Sequence, residues 1–513
     1  MQKFAICRLL VAILYGAFGH SLTEVEWLEL LDKGPKDPDI WKALDQYLEC
    51  YEDRFDLVDP EKPFMQVAGL HTAKDDMKGL DWLVLDMPAG MHLFTTRTES
   101  SLQRMSMAEA ARWLVTIQAF DVSGIKSGAI GDPRVKGGKG YPIGTAWCGN
   151  LGGLLNEGSN LWETLMYNFV SDELFDTDEE NVDWSDDRPV WERAPLTAAV
   201  EKSYNQPQAD TGIPRYFKGP ATLCTWQSRR IRLAHDGEYV TGVLLCNGDR
   251  LKPQNAQGYE TMTAWRRSEP QEKALKQPVV YMPRRHDPTR SLWRNLPALT
   301  VAAQEPDAIN ATLRPRSLDW LEQVMEQDQE RGESTRPMRL HAYGVQYGNQ
   351  EAVIEAMVDD ALDLDLCLLT AQNPFIGQEL AATVNLVDEG ISALANLASN
   401  IAMAASLDPE GPRAQARERG YSSFDGVFRQ WLRHVNLQNF DEEILRWRQT
   451  VRQLLLRLGI EQASLAPQKA IVGREISRKN NATGEEVTTH YSVALAEIWF
   501  RAKVNTIIPK EGE

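Results

Sequence analysis

Apolar residues recur at helical spacing over the last third of the chain. Leu380, Val384, Val387, Ile391, Leu394 and Ile401 step mostly by four and three, a near-heptad stripe. Phe424, Phe428, Trp431 and Leu432 form a second stripe, and Ile444, Trp447, Val451, Leu454 and Leu455 a third. Leu495, Ile498, Trp499 and Ala502 form a fourth. Four amphipathic helices with connectors predict an antiparallel four-helix bundle. The run Asp408-Pro409-Glu410-Gly411-Pro412 ends its first long helix. Such stripes read as core, not as cofactor sites.

Upstream the texture is mixed. Val25, Leu28, Leu31, Trp41, Leu44 and Leu48 keep helical spacing, whereas short apolar runs such as Trp82-Leu83-Val84-Leu85 alternate with Gly and Pro up to Gly152. One helix is predicted around Met107 to Ala119, and short strands such as Tyr239 to Leu245 fill residues 215–301. The fold class is α+β: a large mixed N-terminal domain over residues 1–350, then the bundle over 351–513. Residues 1–19 imitate a secretory signal, with Lys3 before an apolar run and Ala17-Phe18-Gly19 after it. Arg8 interrupts that run, and Leu9, Leu10, Ile13, Leu14 and Phe18 fall on one helix face, so an amphipathic helix is the second reading.

Composition narrows the function. The 513 residues carry a formal charge of −18, which excludes a globally basic nucleic-acid coat but not local basic patches. Six cysteines without a C-x-x-C pair, and eight histidines without H-E-x-x-H, give no metal-ligand spacing, so no metal and no cofactor are expected. No G-x-S-x-G elbow occurs either, which favours a binding protein over an enzyme. Ten glycines between Gly124 and Gly153 are interleaved with Lys126, Arg134, Lys136 and Lys139. Gly138-Lys139-Gly140-Tyr141 lacks the hydroxyl residue of a P-loop, but a backbone without Cβ atoms and four cations suit a polyanion. Arginines cluster at Arg229, Arg230 and Arg232, at Arg266 and Arg267, and at Arg284, Arg285, Arg290 and Arg294. They suggest a polyanion track, because the guanidinium fork suits phosphate. Arg429, Arg433, Arg446, Arg448, Arg452 and Arg457 interrupt the bundle stripes and are expected to face outward.

Three local patterns together resemble the CasA family, the large subunits of type I-E CRISPR Cascade complexes. They are Lys62-Pro63-Phe64-Met65-Gln66, then Val135-Lys136-Gly137-Gly138-Lys139-Gly140-Tyr141-Pro142, then Tyr347-Gly348-Asn349-Gln350-Glu351-Ala352, followed by the bundle. The resemblance covers nearly the whole chain. It implies a cytoplasmic, non-catalytic protein with no membrane contact. Its implied partners are guide RNA, other Cascade subunits, a double-stranded DNA target and a helicase-nuclease effector. Such a protein recognises the protospacer-adjacent motif, largely through the minor groove, and promotes duplex opening and R-loop formation.

By position, Phe94, Thr95 and Thr96 resemble the start of a loop reaching the guide end and the motif. Gly124, Lys126, Ser127, Gly128 and Gly131 resemble a glycine loop against the minor groove, with Lys136 and Lys139 beside it. Arg266 and Arg267 resemble a paired lysine finger, and Asn349 and Gln350 a wedge entering the duplex. For the wedge, the residues alone leave open a helix N-terminal turn with Asn349 as its cap. Family members usually begin further upstream, which favours the core-helix reading of residues 1–19. Some carry two C-x-x-C pairs that this sequence lacks, so no zinc site is carried over. Two other classes stay open: a secreted or periplasmic hydrolase, and a scaffold without DNA contact.

Overall fold

Helix α1 (Gln2–Phe18) is built around a buried charge. It buries Phe4, Cys7, Arg8, Val11, Leu14 and Tyr15, a stripe offset from the Leu9–Leu10–Ile13 face expected from the sequence. Arg8 is 1% exposed and donates to both carboxylate oxygens of Glu260, at 2.6 and 2.7 Å. Trp147 Nε1 donates to the same carboxylate at 2.7 Å. The residue that breaks the apolar run is thus a paired charge in the middle of the core, affordable only with both partners present. Among the described residues no helix is long and apolar enough to cross a membrane.

The computed structural model describes residues 1–87, 95–175, 182–200, 218–300, 311–330, 336–369, 374–479 and 486–509. The chain forms two compact units: Met1–Leu292 with Ala303–Ala361, and Trp293–Ala302 with Leu362–Glu513.

In the first unit α1 is followed by α2 (Glu24–Lys33), α3 (Pro38–Cys50), α4 (Met107–Phe120), α5 (Leu161–Met166), α6 (Pro220–Cys224), α7 (Glu269–Leu275) and α8 (Arg316–Glu330). Thr23 and Glu26 close a capping box at the start of α2, and Ser106 caps α4 through the Glu109 amide. The strands are β1 (Met105–Ser106), β2 (Lys126–Ser127), β3 (Lys139–Gly140), β4 (Gly153–Glu157), β5 (Arg229–His235), β6 (Tyr239–Asn247), β7 (Trp265–Arg267), β8 (Tyr281–Pro283), β9 (Thr312–Leu313), β10 (Pro337–Tyr347) and β11 (Ile354–Asp365). Strand β6 organises one sheet in the order β1-β6-β2-β3, with β5 antiparallel to β6. A second sheet runs β11-β10-β4 and a third β8-β7-β9. Helix α1 packs on α4 and α6.

Strand β11 departs from the helical reading of everything after Glu351. Its apolar residues Ile354, Met357, Val358, Ala361 and Leu362 fall at helical spacing, yet pairing with β10 holds it extended. The turn at Asn349 therefore joins two strands, so the alternative of a helix N-terminal turn capped by Asn349 does not form.

The second unit holds α9 (Pro374–Ala404), α10 (Glu410–His434), α11 (Phe440–Ser464), α12 (Gln468–Val472) and α13 (Val493–Ile507), with the hairpin β12 (Arg474–Lys479) and β13 (Glu486–Tyr491). Helix α9 packs against α10, α11 and α13, burying Leu380, Val384, Val387, Ile391, Leu394 and Ile401. Trp293 stacks on Phe428 with 4.6 Å between ring centroids and donates from Nε1 to Asp425 at 3.0 Å. The fourth stripe is displaced: α13 buries Ala496, Phe500 and Val504 and leaves Ile498 exposed. The bundle arginines lie at the surface and pair there, Arg448 with Glu379 at 3.0 Å and Arg446 with Glu443 at 2.8 Å.

Candidate nucleic-acid interface

The glycine-rich segment is anchored on Asp121, at the end of α4. Arg229 of β5 donates to Asp121 at 2.5 Å and to the carbonyls of Val122 at 3.0 Å and Gly144 at 2.9 Å, gathering both ends of the segment. Lys126 adds an ion pair to Asp121 at 2.8 Å. Burial opposes the Asp121 charge, but Lys126 and Arg229 outweigh it and hold the carboxyl below its usual range. The expectation that Lys126 meets DNA is corrected by this geometry, because its ammonium is buried and spent on Asp121. The arginine track needs the same correction. Arg229 and Arg230 are each 1% exposed, and Arg230 pairs with Asp249.

Beyond this anchor the segment becomes a hairpin. Ser127 pairs with Lys139 and Lys126 with Gly140. At the tip Lys136 and Lys139 exchange backbone hydrogen bonds of 3.2 and 3.1 Å across Gly137 (φ 58°) and Gly138 (φ 74°). A two-residue hairpin turn requires both positive φ values, which glycine supplies without strain. The turn sets two exposed lysines opposite each other, and like charges in that arrangement cost stability. Gly128 does not face outward as a groove-contacting glycine should. A Cβ there would lie 2.6 Å from the Gly138 carbonyl, so Gly128 serves closure of the hairpin. Gly124 is half-buried, Gly131 is exposed at φ 97°, and Ile125, Ile130 and Tyr141 are exposed large side chains on the same segment.

The β10–β11 turn is tied to the same anchor. Tyr347 Oη donates to the Phe120 carbonyl at 2.7 Å, and the Ser123 amide donates to the Glu351 carbonyl at 2.8 Å. Arg285 reaches Glu351 at 3.3 Å and the Asn150 side chain at 3.1 Å. Asn349 and Gln350 are exposed between these tethers. Gln350 (φ 54°) and Glu351 (φ 56°) are consecutive non-glycine residues in the left-handed region, a strained geometry that the tethers hold.

A sequence model described as CRISPR-associated protein Cse1 matches residues 1–458. The chain belongs to the Cse1 family. The crystal structure of Thermobifida fusca Cse1 is similar at 42% identity and a TM-score of 0.84, covering 99% of this chain and 90% of that one. The Thermus thermophilus CRISPR-associated protein CasA/Cse1 is 28% identical over 308 residues, 58% of this chain and 52% of that relative. The match thus spans about half the length of that relative. A chain of a structure titled CRISPR RNA-guided surveillance complex shares the fold at 16% identity, with a TM-score of 0.59 over 98% of this chain and 90% of that one.

The other positions singled out in this Cse1-family sequence also belong to the first unit. Arg266 is exposed on β7, whereas Arg267 is paired with Glu272 at 2.7 Å and mostly covered. Burial, with Arg290 and Arg266 nearby, lowers the pKa of Arg284, so these three arginines share one basic neighbourhood. Thr95 Oγ1 accepts from the Arg97 amide at 3.2 Å, Thr96 is exposed, and Phe94 lies outside the described residues. Sequence reasoning missed the anchoring roles of Asp121, Ser123 and Tyr347. Only the position of Asp121 at the end of a predicted helix, just before the glycines, signalled it. Among the described residues no three His, Cys, Asp or Glu side chains gather as a metal site.

Proposed function

We propose that this chain is the large subunit of a type I-E CRISPR Cascade complex, where it recognises the protospacer-adjacent motif in double-stranded DNA and starts strand separation. Family membership supports the assembly, with guide RNA and the other Cascade subunits as partners. The observation that carries the DNA role is the tie between the strained Gln350 turn and the glycine-rich segment, made by the Ser123–Glu351 hydrogen bond of 2.8 Å. Two exposed polar features held in one frame can act together on adjacent parts of a duplex.

In this reading Lys136 and Lys139 meet phosphate, which relieves their mutual repulsion. The backbone around half-buried Gly124 and Ser127 and exposed Gly131 follows the groove, and Arg266 and Thr96 add contacts beside it. Asn349 and Gln350 enter a base-pair step and offer hydrogen bonds to base edges. Unstacking a step costs a few kcal/mol, and a rigid turn loses little entropy on insertion. The chain carries no chemistry of its own and offers a surface to the helicase-nuclease. The test is affinity capture of the chain from its native host. Co-purification of a guide RNA with further Cascade subunits is expected. A chain recovered alone, or with unrelated partners and no RNA, contradicts the assignment.

A further inference from the structure

We infer that a cavity in the second unit, between α9, α13 and β13, binds one nucleotide of a single-stranded nucleic acid. The cavity measures about 390 Å³. Ala393, Asn396 and Asn400 line it from one face of α9, and Ala496, Trp499 and Lys503 from one face of α13. Facing positions in a bundle are ordinarily apolar and interlocked. Here two alanines leave space between the helices, and amides, an indole and an ammonium surround that space. The displaced burial stripe of α13 has the same origin: Phe500 enters the core and Trp499 is left at the cavity wall.

The polar groups are available. The side chains of Asn396, Asn400 and Lys503 make no hydrogen bond or ion pair with another described residue. Trp499 is held edge-to-face by Tyr491, with ring centroids 5.4 Å apart and planes at 78°. Among the described residues no carboxylate lines the cavity, so Lys503 sets its sign and an anionic ligand fits. An aromatic platform for a base, amides with the donor–acceptor pair that matches adenine, and a cation for phosphate together describe a nucleotide. Asn396 and Lys503 are exposed at the rim, which leaves a strand room to continue outward. An acidic peptide would satisfy Lys503 but leave the indole and both amides unused. This site belongs to the second unit and does not depend on duplex contact by the first.

The test is photo-crosslinking of the full chain, at low salt, to an oligodeoxyadenylate carrying a photoreactive thymine analogue at its centre. Crosslinks are expected in the peptide that holds Trp499. Trp499→Ala is expected to lower their yield by about tenfold, in keeping with the stacking contribution of one base. Asn396→Leu, a substitution at an exposed position, is expected to lower it several-fold with an unchanged melting temperature. A polyglutamate peptide is expected not to compete. Crosslinks that avoid this peptide, an Asn396→Leu yield equal to wild type, or efficient competition by polyglutamate would each overturn the proposal.

Discussion

The Ser123 amide donates to the Glu351 carbonyl at 2.8 Å, and through that bond the loop after α4 and the turn between β10 and β11 share one frame. Tyr347, the last residue of β10, reinforces it by donating to the Phe120 carbonyl at 2.7 Å. The frame makes the turn a rigid feature, so disturbing either tether should alter function without touching an exposed side chain. Tyr347→Phe removes one partly buried hydrogen bond and is expected to cost about 1 kcal/mol. Chemical denaturation checks that figure, and slower R-loop formation by the reconstituted complex should accompany it.

Gln350 carries a φ of 54°, which a glycine adopts more readily. Gln350→Gly is expected to leave stability unchanged or raise it by up to about 1 kcal/mol, strain relief being partly offset by unfolded-chain entropy. Thermal melting of the full chain reads this directly. A stability loss of several kcal/mol would show that the glutamine side chain supports the fold.

Lys136 and Lys139 face each other at an exposed hairpin tip. Replacing both with glutamine is expected to raise stability by up to about 1 kcal/mol by removing like-charge repulsion. In the assembled complex the same change should reduce the salt dependence of duplex binding by about two phosphates' worth of counterion release, each contributing a slope of roughly 0.9. An unchanged salt slope means that the hairpin tip is plain solvated surface.

Arg8 and Glu260 form a pair in which each side chain is 1% exposed. Arg8→Met alone leaves a buried carboxylate without its main partner and is expected to cost about 3–5 kcal/mol. Combining it with Glu260→Gln should recover a substantial part of that loss. Denaturation midpoints of the single and double variants form the cycle that measures the coupling.

His341 on β10 bridges two carboxylates, with Nδ1 at 2.6 Å from Glu157 of β4 and Nε2 at 2.6 Å from Asp359 of β11. Burial opposes the imidazolium, but the hydrogen bonds to Glu157 and Asp359 outweigh it and raise the pKa above its ordinary value of 6.5. Burial likewise opposes the Glu157 charge, but His341 and Lys3 bring that carboxyl below 4.5. A raised histidine contributes stability that is full below its unfolded pKa and is lost as pH rises through the folded one. A lowered glutamate contributes stability present above its unfolded pKa and lost as pH falls through the folded one. The cluster therefore stabilises most between pH about 4.5 and 6.5. The melting-temperature difference between wild type and His341→Gln should be largest near pH 6 and shrink toward pH 9.

Much of the fold was legible because packing periodicity is written locally. The stripe from Leu380 to Ile401 is the buried face of α9, and Met107 to Ala119 marks α4 almost to its last residue. Strand β11 was not legible, because a helical spacing of apolar residues is overridden by pairing with a strand earlier in the chain. The charges misled because their partners are set by the fold. Arg229 and Arg230 look like surface cations until Asp121 and Asp249 are brought beside them, and Lys126 until the turn after α4 folds it back onto Asp121, five residues earlier. Gly128 looks like an open backbone until Gly138 closes on it. Asn349 and Gln350 were singled out through their motif, but the tethers that give the turn its rigidity come from residues near 120, far away in sequence.

The central claim is that the Gln350 turn opens the duplex beside the recognised motif. The measurement is the rate of R-loop formation by the reconstituted complex carrying Gln350→Ala, on a duplex target and on one already melted beside the motif. The account predicts slow R-loop formation on the duplex and a rate close to wild type on the melted target, because only the first requires a step to be unstacked. Equal slowing on both targets, or none on either, contradicts it.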